Sequence, residues 1–283
     1  MLKTLHASLL LLALGLVAVI TSCEKKQEVP AVPEAPKVEV KVPVDPEAPK
    51  VEVPAVPEAP KVEVKDAAVK VPNAEHKILR SLTVSGKKVA LTFDDGPDDN
   101  VIPILDILAK AGGKATFFFI GRNVAKQPEV AKTVLDAGCE IGNHSYTHPW
   151  FNAPTYADAD KVREELVKTQ QIIKEKTGVT PVLYRSPYFK YTDTLFAVID
   201  ELQLTTVDAS VGAQDWEKTA TGAQVFERVT TKVSPGSIVV LHSYSPCTLQ
   251  ALPDIIKFLK DNGYEMVTVS ELIKISKMEA VAP

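Results

Sequence analysis

From about residue 87 onward, short apolar runs alternate with longer stretches in which apolar positions recur every three or four residues. The runs read as strands and the stretches as helices. The pattern predicts strands over 88–93, 115–120, 140–143, 182–184, 205–210, 237–241 and 266–269. It predicts helices over 101–111, 129–137, 156–176, 192–202, 224–233, 249–262 and 271–277. The helix over 156–176 carries Val162, Leu166, Ile172 and Ile173 on its apolar side. Strand–helix alternation builds a parallel sheet covered by helices, an α/β fold. About seven such units predict a distorted (β/α) barrel, smaller and less regular than an eightfold one. In such folds chemistry sits at the C-terminal ends of the strands.

Those ends are where the polar residues cluster. The first predicted strand runs Val89-Ala90-Leu91-Thr92-Phe93 and stops at Asp94-Asp95-Gly96-Pro97, two adjacent carboxylates and a turn. Strand alternation sends Asp94 and Asp95 to opposite sides, so the two need not share a task. The bland alternative is an acidic, solvated turn. After the third strand come His144 and His148, four residues apart in Gly142-Asn143-His144-Ser145-Tyr146-Thr147-His148-Pro149. The chain has five histidines; His6 and His76 precede the strand–helix pattern, and His144, His148 and His242 all follow or end predicted strands. With Asp95 as third ligand, His144 and His148 would give a two-His, one-carboxylate site with open positions, the pattern of a catalytic metal. Surface or capping histidines are the competing reading. Arg185-Ser186-Pro187-Tyr188, Asp215-Trp216 and Leu241-His242 follow later strands. Taken singly, Arg185 reads equally as a rim salt bridge, Trp216 as a core aromatic and His242 as a satisfied core histidine.

Composition changes the picture mainly at the N-terminus. The 283 residues are 45% hydrophobic and 24% charged, with net charge −4, enough for one sizeable core and something extra. A mild acidic balance leaves no case for nucleic acid. The three cysteines, Cys23, Cys139 and Cys247, form no CxxC pair, which argues against a thiolate zinc site. Cys139 and Cys247 read either as an oxidised pair or as free thiols. Lys3 is followed by an unbroken apolar run over 9–20, short for a membrane span but fitting a signal peptide. It ends Ile20-Thr21-Ser22-Cys23, which resembles a bacterial lipobox. This implies a signal peptide over 1–22, lipidation at Cys23, and export to the cell envelope with a lipid anchor, facing the periplasm or the surface. An ordinary secretory signal with an incidental cysteine is the alternative. Residues 23–75 are rich in Pro, Val, Glu and Lys, and Pro-Glu-Ala-Pro-Lys-Val-Glu-Val occurs three times, at 33–40, 46–53 and 57–64. Such units are too short and proline-rich to build a core, and predict a disordered, polyproline-like linker. At about 3.1 Å per residue it could hold a domain on the order of 100 Å from a membrane. Filler with no reach function is the plainer reading. The remainder, 76–283, is the folded domain.

Together the motifs resemble the polysaccharide deacetylase, or NodB homology, domain of carbohydrate esterase family 4. The matching stretches are Thr92-Phe93-Asp94-Asp95-Gly96-Pro97, His144-Ser145-Tyr146-Thr147-His148, Arg185-Ser186-Pro187-Tyr188, Asp215-Trp216 and Leu241-His242, in the family's order. Lys114-Ala115-Thr116-Phe117-Phe118 and Glu140-Ile141-Gly142 resemble its flanking segments. The resemblance covers about 87–275 and implies a distorted (β/α) barrel. It implies Asp94 as general base, oriented by Arg185, and His242 as general acid, supported by Asp215. Asp95, His144 and His148 would hold a divalent metal, most often zinc, with cobalt, nickel, iron or manganese as alternatives. The backbone N–H of Tyr188 would hold the oxyanion. Pro187, Tyr188 and Trp216 would wall a sugar groove, and Leu241 would line an acetyl pocket. Phe189, Gly212 and Ser243 depart from the family's usual residues, which bears on the groove's shape and so on the substrate.

The implied activity is N-deacetylation of N-acetylglucosamine residues in a cell-envelope glycan, with peptidoglycan the nearest candidate. Two other readings stand beside it: an O-acetyl esterase on xylan or a similar glycan, and a non-catalytic lipoprotein that only binds glycan. Asp94 and His242 argue against the last, since a pure binder needs neither. No protein partner is implied.

Overall fold

The computed structural model describes residues 76–281; the expected signal peptide (1–22), Cys23 and the expected linker (23–75) lie outside them. The strands are β1 (Lys88–Asp94), β2 (Ala115–Phe119), β3 (Glu140–Asn143), β4 (Leu183–Tyr184), β5 (Thr205–Thr206), β6 (Val211–Gly212), β7 (Ile238–His242) and β8 (Glu265–Met266). The α-helices are α1 (Val101–Lys110), α2 (Gly121–Lys126), α3 (Pro128–Asp136), α4 (Ala159–Thr177), α5 (Asp193–Glu201), α6 (Gly222–Thr230), α7 (Pro246–Asp261) and α8 (Val269–Val281). All strand pairs are parallel, in the order β5-β4-β3-β2-β1-β7-β6, with β8 also pairing β1. The sheet curls into the expected distorted barrel.

Strand alternation sorts the core into two layers. Leu91, Phe93, Phe117, Phe119, Val239 and Leu241 face outward and pack against α1, α6 and α7. Ala90, Phe118, Val207 and Ile238 face inward. The inward positions of β1 therefore run Ala90, Thr92, Asp94, so the strand delivers its last residue to the inside of the barrel mouth.

The path leaves β5 and β6 as its ends, and residues 76–82 run across the gap between them. Leu79 bridges Val207 just past β5, and Ser81 bridges Ser237 just before β7. Leu79 N–H donates to Thr206 O at 3.0 Å, and Leu82 N–H to Gly236 O at 3.0 Å. Gly236 has φ +80°, and a Cβ there would sit 1.6 Å from the Leu82 carbonyl oxygen, so no other residue fits this seam.

Three differences from the sequence pattern have local causes. The run expected as one strand over 205–210 splits into β5 and β6, because Val207 and Asp208 turn aside to meet residues 79 and 185. The helix expected to start at 156 begins at Ala159, after a 3-10 turn over Pro154–Ala157; the Asp158 carboxylate caps it by accepting the Asp160 N–H at 2.9 Å. α2 was not expected: six residues with only Gly121 and Val124 buried carry no readable period. Cys139 and Cys247 are both free, which resolves the open pairing question; Cys139 is buried, and the Cys247 thiol donates to Ala220 O.

Candidate active site

β1 and β7 are in register, and their last pair is Asp94 opposite His242. Both side chains are inward positions, so the sheet alone places a carboxylate and an imidazole side by side at the barrel mouth. Each is held from behind. Arg185, wholly buried, donates from one guanidinium nitrogen to Asp94 Oδ1 and to Thr92 Oγ1, both at 2.7 Å. Its other nitrogens reach the carbonyls of Val207 (3.3 Å) and Asp208 (2.9 Å), and the group lies over the Phe118 ring. With every side of the guanidinium occupied, Arg185 fixes one oxygen of Asp94. Oδ2 makes no hydrogen bond among the described residues.

His242 is oriented by Asp215. Its Nδ1–H donates to Asp215 Oδ1 at 2.8 Å, and its backbone N–H to Oδ2 at 2.7 Å. The Thr248 hydroxyl donates to the same Oδ2. This turns Nε2 toward the cavity. Burial opposes the charged imidazole, but the hydrogen bond and charge of Asp215, then the carboxylates of Asp94 and Asp95, outweigh it and raise the His242 pKa above its ordinary value.

Asp95 does not behave as strand alternation expects. It has left the strand with φ 74°, which swings its carboxylate back to the same cavity as Asp94. The expectation fails because alternation holds only inside a strand. Asp95 Oδ1 is buried and has no hydrogen bond among the described residues. The Nε2 atoms of His144 and His148 lie 3.3 and 3.1 Å from it. One donor atom from each of the three residues falls within 4.8 Å of the others. His144 Nδ1–H donates to the Arg185 carbonyl at 2.8 Å, which leaves its Nε2 lone pair bare and aimed at the same point. An orphaned carboxylate oxygen facing two imidazole nitrogens is a donor set that fits a divalent cation. Burial raises the Asp95 pKa, but the close approach of the His144 and His148 imidazoles, with His242 beside them, more than reverses this and holds the carboxyl far below the usual range.

The histidine loop is built on side chains outside the motif. Glu165, buried on α4, accepts the N–H groups of Tyr146 and Thr147 through Oε2, each at 2.8 Å, and the Thr147 hydroxyl through Oε1 at 2.6 Å. Asn143 Oδ1 takes the Ser145 N–H, and Ser145 Oγ takes the His148 N–H. Ser145 and His148 have φ of 63° and 60°, so these bonds hold a backbone that would not stay there unaided. Glu165 was not anticipated. Its signal was present: a carboxylate on the same helix stripe as Val162 and Thr169 is a charge at a buried position.

Asp94, Asp95, His144, His148, Ser186, Tyr188, Phe189, Trp216, His242 and Tyr244 enclose a cavity of about 310 Å³. Tyr188 and Trp216 line it, while Pro187 is buried and is not among its walls. Leu241 is placed differently from its expected pocket-lining role: it is fully buried and faces outward with Val239, because it is one residue out of phase with His242 on β7. Phe189, Tyr244 and Trp150 were not assigned roles from sequence. Trp150 stacks on Tyr188 with centroids 3.8 Å apart, and His148 meets Tyr188 edge-on at 4.5 Å. Tyr188 and Phe189 both have left-handed backbone, φ 55° and 53°. The Tyr188 N–H stays outside the local turn hydrogen bonds, which run from Phe189 and Lys190. Of the departing residues, Ser243 donates to Asp98, and Gly212 has open space where a Cβ would be.

Comparison with known proteins places this geometry among relatives. The family profile described as polysaccharide deacetylase matches residues 81–207. The chain is 35% identical over 195 residues to a peptidoglycan-N-acetylglucosamine deacetylase of Bacillus cereus, covering 67% of this chain and 70% of that protein. It is 37% identical over 196 residues to a bifunctional xylanase/deacetylase of Pseudobutyrivibrio xylanivorans, covering 68% of this chain but 31% of that protein. Several curated relatives are thus much longer, and the chain spans 31% to 48% of their length. Among solved structures, a carbohydrate esterase family 4 pseudoenzyme from Bacillus anthracis superposes with TM-score 0.65 at 32% identity, covering 71% of this chain and 70% of that one.

Proposed function

This chain belongs to the polysaccharide deacetylase family, and from that premise we propose that it is a metal-dependent N-deacetylase of N-acetylglucosamine residues in a cell-envelope glycan, peptidoglycan above all. The observation that carries the proposal is the pairing of Asp94 with His242 in one cavity with the Asp95, His144 and His148 donor set. A protein that only bound glycan would need neither the base nor the acid.

Asp95, His144 and His148 would hold the cation, for which zinc suits the two imidazoles and one carboxylate. When bound, it supplies Lewis-acid chemistry, polarising the acetamide carbonyl and lowering the pKa of water. Asp94, with Oδ1 fixed by Arg185, accepts the proton of the attacking water on its free oxygen. The Tyr188 N–H points its dipole at the oxyanion. His242, its ring oriented by the Nδ1–H bond to Asp215 and kept charged by that carboxylate, gives the Nε2 proton to the departing amine. Acetate and a free amino sugar result.

The test is acetate release by the full chain from N-acetylglucosamine oligomers and peptidoglycan, with zinc, with chelator and with Asp94→Asn. Chelator-sensitive acetate that the substitution abolishes is the expected result. Acetate only from acetylated xylan would move the reading to an esterase, and none from any substrate to a binding protein.

The division into signal peptide (1–22), linker (23–75) and domain (76–283), with lipid attachment at Cys23 and a cell-envelope location, is also proposed, from the sequence alone. Incorporation of labelled fatty acid that Cys23→Ala removes is the expected outcome.

A further inference from the structure

The reaction cavity shares four wall residues, Asp95, His148, Tyr188 and Tyr244, with a second cavity of about 400 Å³. The far wall of the second cavity carries Arg122. The described residues include five arginines. Four are tied to carboxylates: Arg80 to Asp208, Arg163 to Glu201, Arg185 to Asp94 and Arg228 to Glu217. Arg122 alone has no ion pair or side-chain hydrogen bond among the described residues. Its backbone, by contrast, is fixed to the histidine loop: the N–H groups of Gly121 and Arg122 donate to the carbonyls of Ser145 and Tyr146 at 2.9 and 3.1 Å. The guanidinium is therefore free at its tip and anchored at its root to the turn that carries His144 and His148.

The one acidic side chain in the second cavity that is not part of the donor set is Asp98, and it is spoken for. Its Oδ1 accepts the Asn100 N–H at 2.9 Å and its Oδ2 the Ser243 hydroxyl. Asn123 is committed as well, donating to the Asp95 carbonyl at 2.8 Å. What the cavity leaves unsatisfied is a single planar cation, suited to a carboxylate taken bidentately. A dianion would fit worse, because Asp95 and Asp98 stand on the same walls.

We propose that Arg122 and this second cavity form a subsite for a carboxylate carried by the glycan next to the reacting acetamido sugar, either on the neighbouring sugar itself or on a peptide attached to it. The inference rests on the deacetylase reading for its substrate and refines it: the preferred polymer is one with an acidic group beside the acetylated amine, over a neutral polymer of the same backbone.

The test uses the full chain and three peptidoglycan-type strands: peptide-free with lactyl carboxylates, the same strand with those carboxylates converted to methylamides, and a peptide-bearing strand. The readout is the ratio of kcat/KM for an acidic strand to that for the methylamide strand. In the wild type it is expected to be about 1.5-fold to fivefold, the range of an exposed charge pair. Arg122→Gln brings the ratio close to one, and Arg122→Lys retains part of it. Loss confined to the peptide-bearing strand assigns the carboxylate to the peptide, loss confined to the peptide-free strand assigns it to the lactyl group on the sugar, and loss with both shows that Arg122 takes either. A ratio that Arg122→Gln leaves unchanged for both overturns the subsite. If no strand releases acetate, the deacetylase reading falls, and calorimetric binding of the same strands to wild type and Arg122→Gln still decides: an Arg122-dependent preference for carboxylate upholds the subsite, and equal binding overturns it.

Discussion

Asp94 and His242 stand on the last rung of two paired parallel strands, whereas Asp95, His144 and His148 stand in turns, with Asp95, Ser145 and His148 in left-handed backbone. The strand-borne pair needs little local help: the ladder of β1 and β7 fixes the spacing, and Arg185 and Asp215 only choose rotamer and charge. The turn-borne set leaves the ladder: the N–H groups of Asp95 and His144 still reach the carbonyls of Phe118 and Phe119 on β2, but the His148 N–H reaches only the Ser145 hydroxyl of its own loop. Each left-handed residue costs about 1–3 kcal/mol, and Glu165, Asn143 and Ser145 supply the hydrogen bonds that make the conformation stay. One side of the cavity is placed by the fold, the other by a custom loop.

That contrast predicts separable failures. Asp94→Asn should cut kcat by about a thousandfold or more while leaving metal content unchanged, since the substitution keeps the shape and removes the base. Acetate release and metal analysis on the same preparation check it, and loss of metal would show that the two sides are one unit. Glu165→Ala should act on the other side only. It orphans two backbone N–H groups, costing about 2–4 kcal/mol in urea unfolding, and weakens metal binding on the order of 10–100-fold.

Smaller effects sharpen the contrast. Asp215→Asn removes the main cause of the raised His242 pKa, so the basic limb of the kcat profile should move to lower pH. In chelated protein, NMR titration of His242 should move the same way. The sign for stability follows. A folded pKa above the ordinary imidazole value of 6.5 stabilises fully below 6.5, and that stabilisation is lost as pH rises through the folded value, so the variant's stability deficit should shrink toward alkaline pH. Trp150→Ala removes one stacked ring from Tyr188, about 0.5–1.5 kcal/mol, and should raise KM less than about tenfold with metal content intact.

The same contrast governs what could be read in advance. Short apolar runs located β1, β2, β3 and β7 within a residue or two, because strands buried on both faces carry their signal in every side chain. Two-residue strands such as β5 and β6 carry too little pattern to separate. The five motifs were visible because chemistry demands particular side chains at them. Their supports were less so: Glu165 lies on α4, eighteen residues past Thr147, and only its burial exposes its role. Leu241 and Asp95 show opposite errors of one rule. Alternation, applied to Leu241, would have turned it outward; applied past the end of β1, it turned Asp95 the wrong way.

The seam at residues 76–82 also has a mechanical meaning. A chain that enters the barrel here meets any pull from its N-terminal side first at His76, which pairs with Asp200 and stacks on Phe196, and then at two isolated bridges, Leu79 to Val207 and Ser81 to Ser237. Those few bonds are loaded along a short zipper, whereas β1 is clamped by β2, β7 and β8. Stretched from that end, the protein would peel its leading segment and bare the β5 and β6 edges while the strands bearing Asp94 and His242 still held. The seam would work as a mechanical fuse, yielding under tension before the reaction cavity does.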